Sequence, residues 1–423
     1  MSDSAKADTA PATAQSPPLA PTVFYRVAKA FTYRDFRILW LGAFTSTTGT
    51  WMQKVAQSWL VLSLTGSAFY LGLDDFLSQL PILLFTIIGG VIADRYDRRR
   101  LLIGSQYVQM VSAFLLMGLV LTGVARIQYI LALSFLTGLA QAFGGPAYQS
   151  LIPSLVPRAD LPNAIALNSI QFNLARVVGP LLAGLALAAW GTAVCFGLNG
   201  ASFIVVIVAL MWLRVRHTPP TTRSPLLEEL RSGLSYMWQE GTLVTLTTLA
   251  FISTFFGLPL LTFLPIFAQD VFHQAASQYA VMMAFSGAGA VLGALVVAGL
   301  GRFRHMGLTL LLVQIVFGLL ISGFAISRVL WVSYALLFLA GMALIMMFSL
   351  IASLVQLIAP DHLRGRVVSI YMVAFRGGMP LGSLVGGYIA SLTSAPLVLA
   401  VNGILLAIVG GFFVMNRKWL GDL

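Results

Sequence analysis

Two adjacent aspartates, Asp74 and Asp75, lie in LGLDDFLSQLP, residues 71–81, and the apolar run around them continues to Gly90. A run of that length crosses a bilayer. A carboxylate at membrane depth costs roughly 3 kcal/mol or more, and such groups are kept where they face a bundle interior or water. With the first hairpin centred near Thr65, Lys54 stands 11 residues before the turn and the aspartates 9 and 10 after it. All three then lie at similar depth, about 10–14 Å into the membrane, on neighbouring helices. Lys54 is the natural counter-ion for one acid. Successive residues diverge by about 100° around a helix, so it does not serve both. The acid left over, desolvated and beside a like charge, is placed to take and release a proton. Three roles stay open: a structural ion pair, a proton-coupling carboxyl, and a site for a cationic substrate. Every other Asp and Glu maps to a tail, a loop or a span end, so carboxylate-borne protons must use Asp74 or Asp75.

Two further charges sit in mid-span. Arg176 and Arg376 are roughly 20 Å from the same end of their helices by helical rise, near the depth of the aspartates. An intramembrane arginine needs a partner or water. It either ties carbonyls and carboxylates between helices or meets an anionic part of a cargo. Polar stripes accompany them: Ser46, Thr50, Gln53 and Gln57 at helical spacing in one span, and Ser134, Thr137, Gln141 and Tyr148 in another. In helices surrounded by lipid, such stripes line a cavity or glue helices together; a cavity is the reading preferred here.

The elements that carry these residues follow from composition. Hydrophobic residues make up 58% of the 423-residue chain and charged residues only 9%, against about 25% charged in soluble domains. Twelve spans are expected, at about 38–63, 68–93, 101–123, 128–152, 163–187, 192–214, 243–268, 276–300, 306–326, 330–356, 364–391 and 394–416. Of 25 Lys and Arg, 20 fall in the tails and loops of one side, while the opposite loops hold only Arg126 and Arg328. The positive-inside rule places that side, with both termini, in the cytoplasm. The formal charge of +11 therefore reflects topology and contact with anionic lipid, with no nucleic-acid partner. Residues 1–30 read as a disordered cytoplasmic tail without the apolar core of a signal peptide. The single Cys195 and four scattered histidines leave no disulfide or metal site. No P-loop, HExxH or G-x-S-x-G motif occurs, so no enzyme and no cofactor are expected. SGAGAVLG, 286–293, is helix packing.

The longest polar interruption, 215–242, divides six spans from six and includes an amphipathic stretch from Ser224-Pro225 to Trp238 suited to the membrane surface. The halves, 31–214 and 243–416, resemble each other: SIQFNLARVVGPL (169–181) and SIYMVAFRGGMPL (369–381) share Ser, Ile, Arg, Pro and Leu at an offset of 200. Residues 417–423 form a short tail. A parallel repeat of two helical bundles, with a site between them near the midplane, is a transporter architecture.

GGVIADRYDRRR, 89–100, resembles the loop signature of the major facilitator superfamily, on Gly90, Asp94, Arg95, Arg98 and Arg99, with Asp97 in place of a glycine. The resemblance implies a cytoplasmic gate in which Asp94 faces the start of span 11. GPLLAG, with Gly179, Pro180 and Gly184, is similar to the antiporter motif of span 5. WMQKVAQSWLVLSLTGSAF, LVPRADLPNAIALNS and LPLLTFLPIFAQDVF resemble the bacterial efflux branch that includes enterobactin-type siderophore and macrolide exporters. It implies an all-α membrane protein of twelve helices in two pseudo-symmetric six-helix bundles. The implied activity is proton-coupled export of small amphipathic molecules by alternating access; a lipid or lysophospholipid flippase and a polar-solute importer are the alternatives. Many drug exporters of the superfamily carry an arginine in span 4; this chain has Gly138 near that place. Oligomeric state is not legible, and a monomer suffices.

Overall fold

Residues 28–214, 234–360 and 363–415 are described by the computed structural model, apart from the side chains of Ile87 and Asp94. The 1–27 segment, most of the expected surface helix and the last eight residues lie outside them. The described residues contain no strand. Twelve long helices account for nearly all of them. These are α1 (Arg34–Thr65), α2 (Ala68–Arg95), α3 (Arg98–Leu121), α4 (Ile127–Leu151), α5 (Leu161–Trp190) and α6 (Thr192–Trp212). They continue with α7 (Gly241–Val271), α8 (Ala276–Leu300), α9 (Met306–Ile326), α10 (Leu330–Ile358), α11 (Arg364–Leu392) and α12 (Ala395–Met415). Eleven of them are long and apolar enough to cross a membrane. The other, α1, is 32 residues long but carries Arg34, Asp35 and Arg37 at its start and Lys54 within.

Helix is the only element that satisfies every backbone group of a single segment away from water. That constraint overrides the prolines at 81, 146, 180 and 380, all inside helices. In α7 it yields partly: the α-helix is interrupted at Leu258, ahead of Pro259, and its last turn, Phe267–Val271, is π-helical. Gly66 closes α1 in a left-handed conformation at φ 58°.

The packing pattern repeats after six helices. In the first half α2 packs on α4, α3 on α4 and α6, and α1 on α5 and α6; in the second α8 packs on α10, α9 on α10 and α12, and α7 on α11 and α12. The contacts between halves obey the same rule, α2 with α11 and α5 with α8. The weak repeat around the two arginines thus marks a parallel duplication of two six-helix bundles.

These seams close in the half of the molecule nearest the arginine-poor loops. A Cβ on Gly72 would meet the Ser383 carbonyl, one on Gly387 would lie 2.8 Å from the Ala68 carbonyl, and one on Gly184 would lie 3.0 Å from Ala280 Cβ. At Gly72 and Gly387 any side chain would collide with backbone, and at Gly184 it would be tight. One continuous apolar core, with Val55, Leu60, Leu71, Phe263 and Leu399, joins both halves at that end. A second, around Phe36, Leu39, Leu102, Leu151 and Leu210, stays within the first half near the arginine-rich end. The α11 face that buries Ser383 and Gly387 continues, seven and eleven residues back, to exposed Arg376 and Met372 and then to exposed Ser369. On α5 the face of buried Gly184 continues to half-buried Val177 and Asn173 and exposed Ser169. The seam is sealed at one end and opens toward the arginine-rich end.

Candidate functional site

Asp74 and Asp75 leave α2 in different directions, as helical geometry requires. Both are buried, 3% and 1% exposed. Asp75 Oδ1 receives the Lys54 ammonium from α1 at 2.6 Å, and its other oxygen has no hydrogen-bond partner among the described residues. Lys54 keeps 34% of its side chain exposed. Asp74 has no ion pair among the described residues, although the Lys54 charge reaches it. The Gln57 amide nitrogen lies 2.9 and 3.0 Å from its two oxygens, and the Ser134 hydroxyl of α4 donates to Oδ1. Gln57 Nε2 is also 2.8 Å from Ser134 Oγ. Gln53 Nε2 reaches Gln57 Oε1 at 3.4 Å, and Asn199 of α6 donates to Gln53 Oε1 at 2.7 Å. The polar chain therefore crosses α6, α1, α2 and α4, and it holds Asp74 with neutral groups while an ammonium holds Asp75.

From the second half, buried Tyr279 of α8 lies beside Ser58, one turn beyond Lys54, and within electrostatic reach of Lys54 and Asp75. The carboxylate site thus touches the closed part of the seam. Asn199 and Tyr279 escaped the sequence reading. Asn199 stands alone in the run CFGLNGASF and could have been flagged as an isolated amide in an apolar span; Tyr279 is one of 12 tyrosines and carries no such signal.

The other members of the stripes divide. Thr50 and Thr137 turn back to their own helices, bonding the Ser46 and Ser134 carbonyls. Gln141 is exposed, and Tyr148 donates to Asn168 of α5 at 2.6 Å. These are not gathered around the aspartates. Gly138 has the Ser78 carbonyl and the Pro81 ring of α2 against it. An arginine there would have to push α2 away, so the close α2–α4 contact explains why this span lacks one.

Arg176 and Arg376 are near the middle of α5 and α11. The Arg176 guanidinium sits over the Trp51 ring of α1, 5.6 Å from its centre, a cation–π contact. Arg376 makes no hydrogen bond or ion pair among the described residues and is exposed. Neither arginine touches Asp74 or Asp75. The motif glycines split between tasks: Gly179 packs on Trp51 and Thr48 within the first half, Pro180 is buried, and Gly184 packs across to α8.

At the arginine-rich end, Asp97 replaces the turn glycine by capping α3, accepting from the backbone N–H groups of Arg99 and Arg100. Arg98 donates to the Ser150 carbonyl at 3.1 Å, and Arg99 reaches the Leu213 and Met211 carbonyls. Both tie helices of the first half. Gly90 has open space around it and Arg95 is exposed. The expected contact of Asp94 with α11 lies outside the described side chains. The described residues include no group of His, Cys, Asp and Glu able to hold a metal.

The two duplicated six-helix bundles are the architecture of the major facilitator fold. Solved structures agree on the fold: a bacterial homologue of the human lysosomal transporter Spinster, inward-facing and unoccupied, superposes with a TM-score of 0.73 at 15% identity, covering 95% of this chain and 98% of that one. The nucleoside transporter NupG gives 0.70 at 14% identity, covering 91% and 99%. The chain belongs to the major facilitator family described as transmembrane secretion effectors, which it matches over residues 28–419. The staphyloferrin A transporter of Staphylococcus aureus is 26% identical over 88% of this chain and 93% of its own length. The multidrug efflux pump Tap of Mycolicibacterium fortuitum is 28% identical over 90% and 96%. The enterobactin exporter EntS of Citrobacter koseri is 25% identical over 93% of each.

Proposed function

We propose that this transporter exports small amphipathic molecules, in the siderophore or drug class named for its relatives, in exchange for protons by alternating access. It would sit in a bacterial inner membrane with both termini cytoplasmic, the orientation favoured by the arginine count of the loops. The observation that carries the proton coupling is the contrast between the two acids. Asp75 is committed to an ion pair with Lys54, whereas the Gln57 and Ser134 groups around Asp74 serve either protonation state, since a hydroxyl both donates and accepts. A carboxyl so placed moves a proton without breaking an ion pair. The neighbouring Lys54–Asp75 pair, one turn from Ser58 and Tyr279 at the sealed seam, would link that proton to the inter-bundle closure. The sealed arginine-poor end then corresponds to a state open to the cytoplasm.

Everted membrane vesicles test this. Siderophores and antibacterial drugs, first ranked by thermal shift of the purified protein, are offered with an inside-acid gradient. Accumulation that collapses with the gradient and is absent in Asp74→Asn supports export. Gradient-insensitive lipid exchange would point to the flippase instead.

A further inference from the structure

The charge of the opened seam names a class of cargo. Five Lys, Arg and Asp side chains lie in the middle of membrane spans: Lys54, Arg176 and Arg376 against Asp74 and Asp75. Both acids are buried, and the Lys54 ammonium is committed to Asp75. What remains toward the open side is cationic. Arg376 has no protein partner among the described residues, and Arg176 has only the face of Trp51. With both acids ionised the membrane-depth charge is +1, and it is +2 when one is protonated.

Arg376 does not sit on an outer face of α11. It precedes Ser383 and Gly387 by seven and eleven residues, the residues that seal α11 against Gly72 and Ala68 of α2. On the same stretch Gly377 lies 3.7 Å, by its Cβ direction, from Leu83 of α2. Arg176 lies beside the other seam: its own carbonyl is 3.0 Å from a Cβ on Gly287 of α8. The pseudo-equivalent arginines thus flank the two seams at one depth, one from each half. An unpaired guanidinium at bilayer depth is costly, and its fork of donors matches carboxylate geometry. Trp51 beside one of them adds an aromatic surface.

We infer that the cargo is an organic anion, an aromatic acid or polycarboxylate, held between Arg176 and Arg376 from the two halves. This rests on the transport reading of the same cavity. Among the described residues, a cationic drug would find the membrane-depth carboxylates buried, one paired with Lys54 and the other bonded to Gln57 and Ser134, and would meet two arginines that no carboxylate neutralises.

Isothermal titration of the full chain in nanodiscs tests it with 2-naphthoate, benzene-1,3,5-tricarboxylate and the charge-inverted twin 2-naphthylmethylammonium. Both anions should bind and weaken with added salt, and the ammonium should not bind. Arg376→Gln and Arg176→Gln should each weaken anion binding at least tenfold, with Arg376→Lys, which keeps the charge and loses the fork, falling between Arg376→Gln and the wild type. Where the glutamine variants do not fold, the salt dependence of the wild-type protein decides. Tighter binding of the ammonium, no anion binding at millimolar concentration, or anion binding indifferent to salt and to both arginines overturns the inference. Arginine-dependent anion binding without gradient-driven flux would defeat export and leave this inference standing. Gradient-driven flux of the ammonium, unchanged in Arg376→Gln, would do the reverse.

Discussion

Asp74 and Asp75 are chain neighbours in opposite surroundings, and single substitutions should separate them. Asp75→Asn strands the Lys54 ammonium at membrane depth. Removing one partner of a buried pair destabilises by about 3 kcal/mol, the low end of such effects, because Lys54 keeps 34% of its side chain exposed. The expected result is a clear drop in the melting temperature of the purified protein, restored in part by Lys54→Met in the double variant. Asp74→Asn replaces a carboxyl by an amide of the same shape that still bonds Ser134 and Gln57. The fold should survive, and the pH dependence of flux should vanish. Equal, wild-type-like proton-driven flux in both variants and in the double would remove the coupling role. The split between the acids was partly legible, since two residues 100° apart cannot share one lysine. Which acid Lys54 takes was not, because that depends on how α1 rotates against α2.

At the level of helices and their ends, the structure explains a departure from the superfamily loop pattern. Asp97 stands where the pattern has glycine and works as an N-cap, satisfying two donors that α3 leaves open. Asp97→Ala should lower stability by about 1 kcal/mol and Asp97→Gly by only a few tenths, read from thermal unfolding. The start of α5 has no such cap and is fastened instead by side-chain contacts to residues 29–33. Asp160 pairs with Lys29 at 2.7 Å and accepts from Tyr33 at 2.6 Å, while Asn163 accepts from the Ala30 backbone at 2.8 Å. Asp160→Ala should loosen residues 29–33, seen as faster hydrogen exchange there with little change in α9 or α12. LVPRADLPN displayed the acid and the proline helix start plainly. Its partners lie more than 120 residues away, and no local pattern reaches that far.

For the molecule as a whole, the relevant quantity is the free-energy difference between closing one end of the seam and closing the other. Gly72, Gly184 and Gly387 let backbones touch across the arginine-poor end. Gly72→Leu sets a side chain against the Ser383 carbonyl, so it should favour opening at that end. A cysteine at Gln57, with buried Cys195 changed to alanine, then reports the shift: impermeant thiol reagents should label it from the arginine-poor side several-fold faster in the Gly72→Leu background. Unchanged labelling would mean these glycines do not govern the closure.

Composition and the placement of arginine in loops were enough to determine a twelve-helix membrane protein, because lipid forces each apolar run into helix whatever its neighbours are. The 200-residue offset between Arg176 and Arg376 was enough to reveal the duplication, because an arginine at mid-span is too costly to occur casually. Pairing Lys54 with Asp75, surrounding Asp74 with Gln57 and Ser134, and bringing Tyr279 to the carboxylate site were decided only by tertiary structure. Each depends on the rotation and crossing of helices, which close glycine contacts set and which a one-dimensional pattern of apolar residues leaves free.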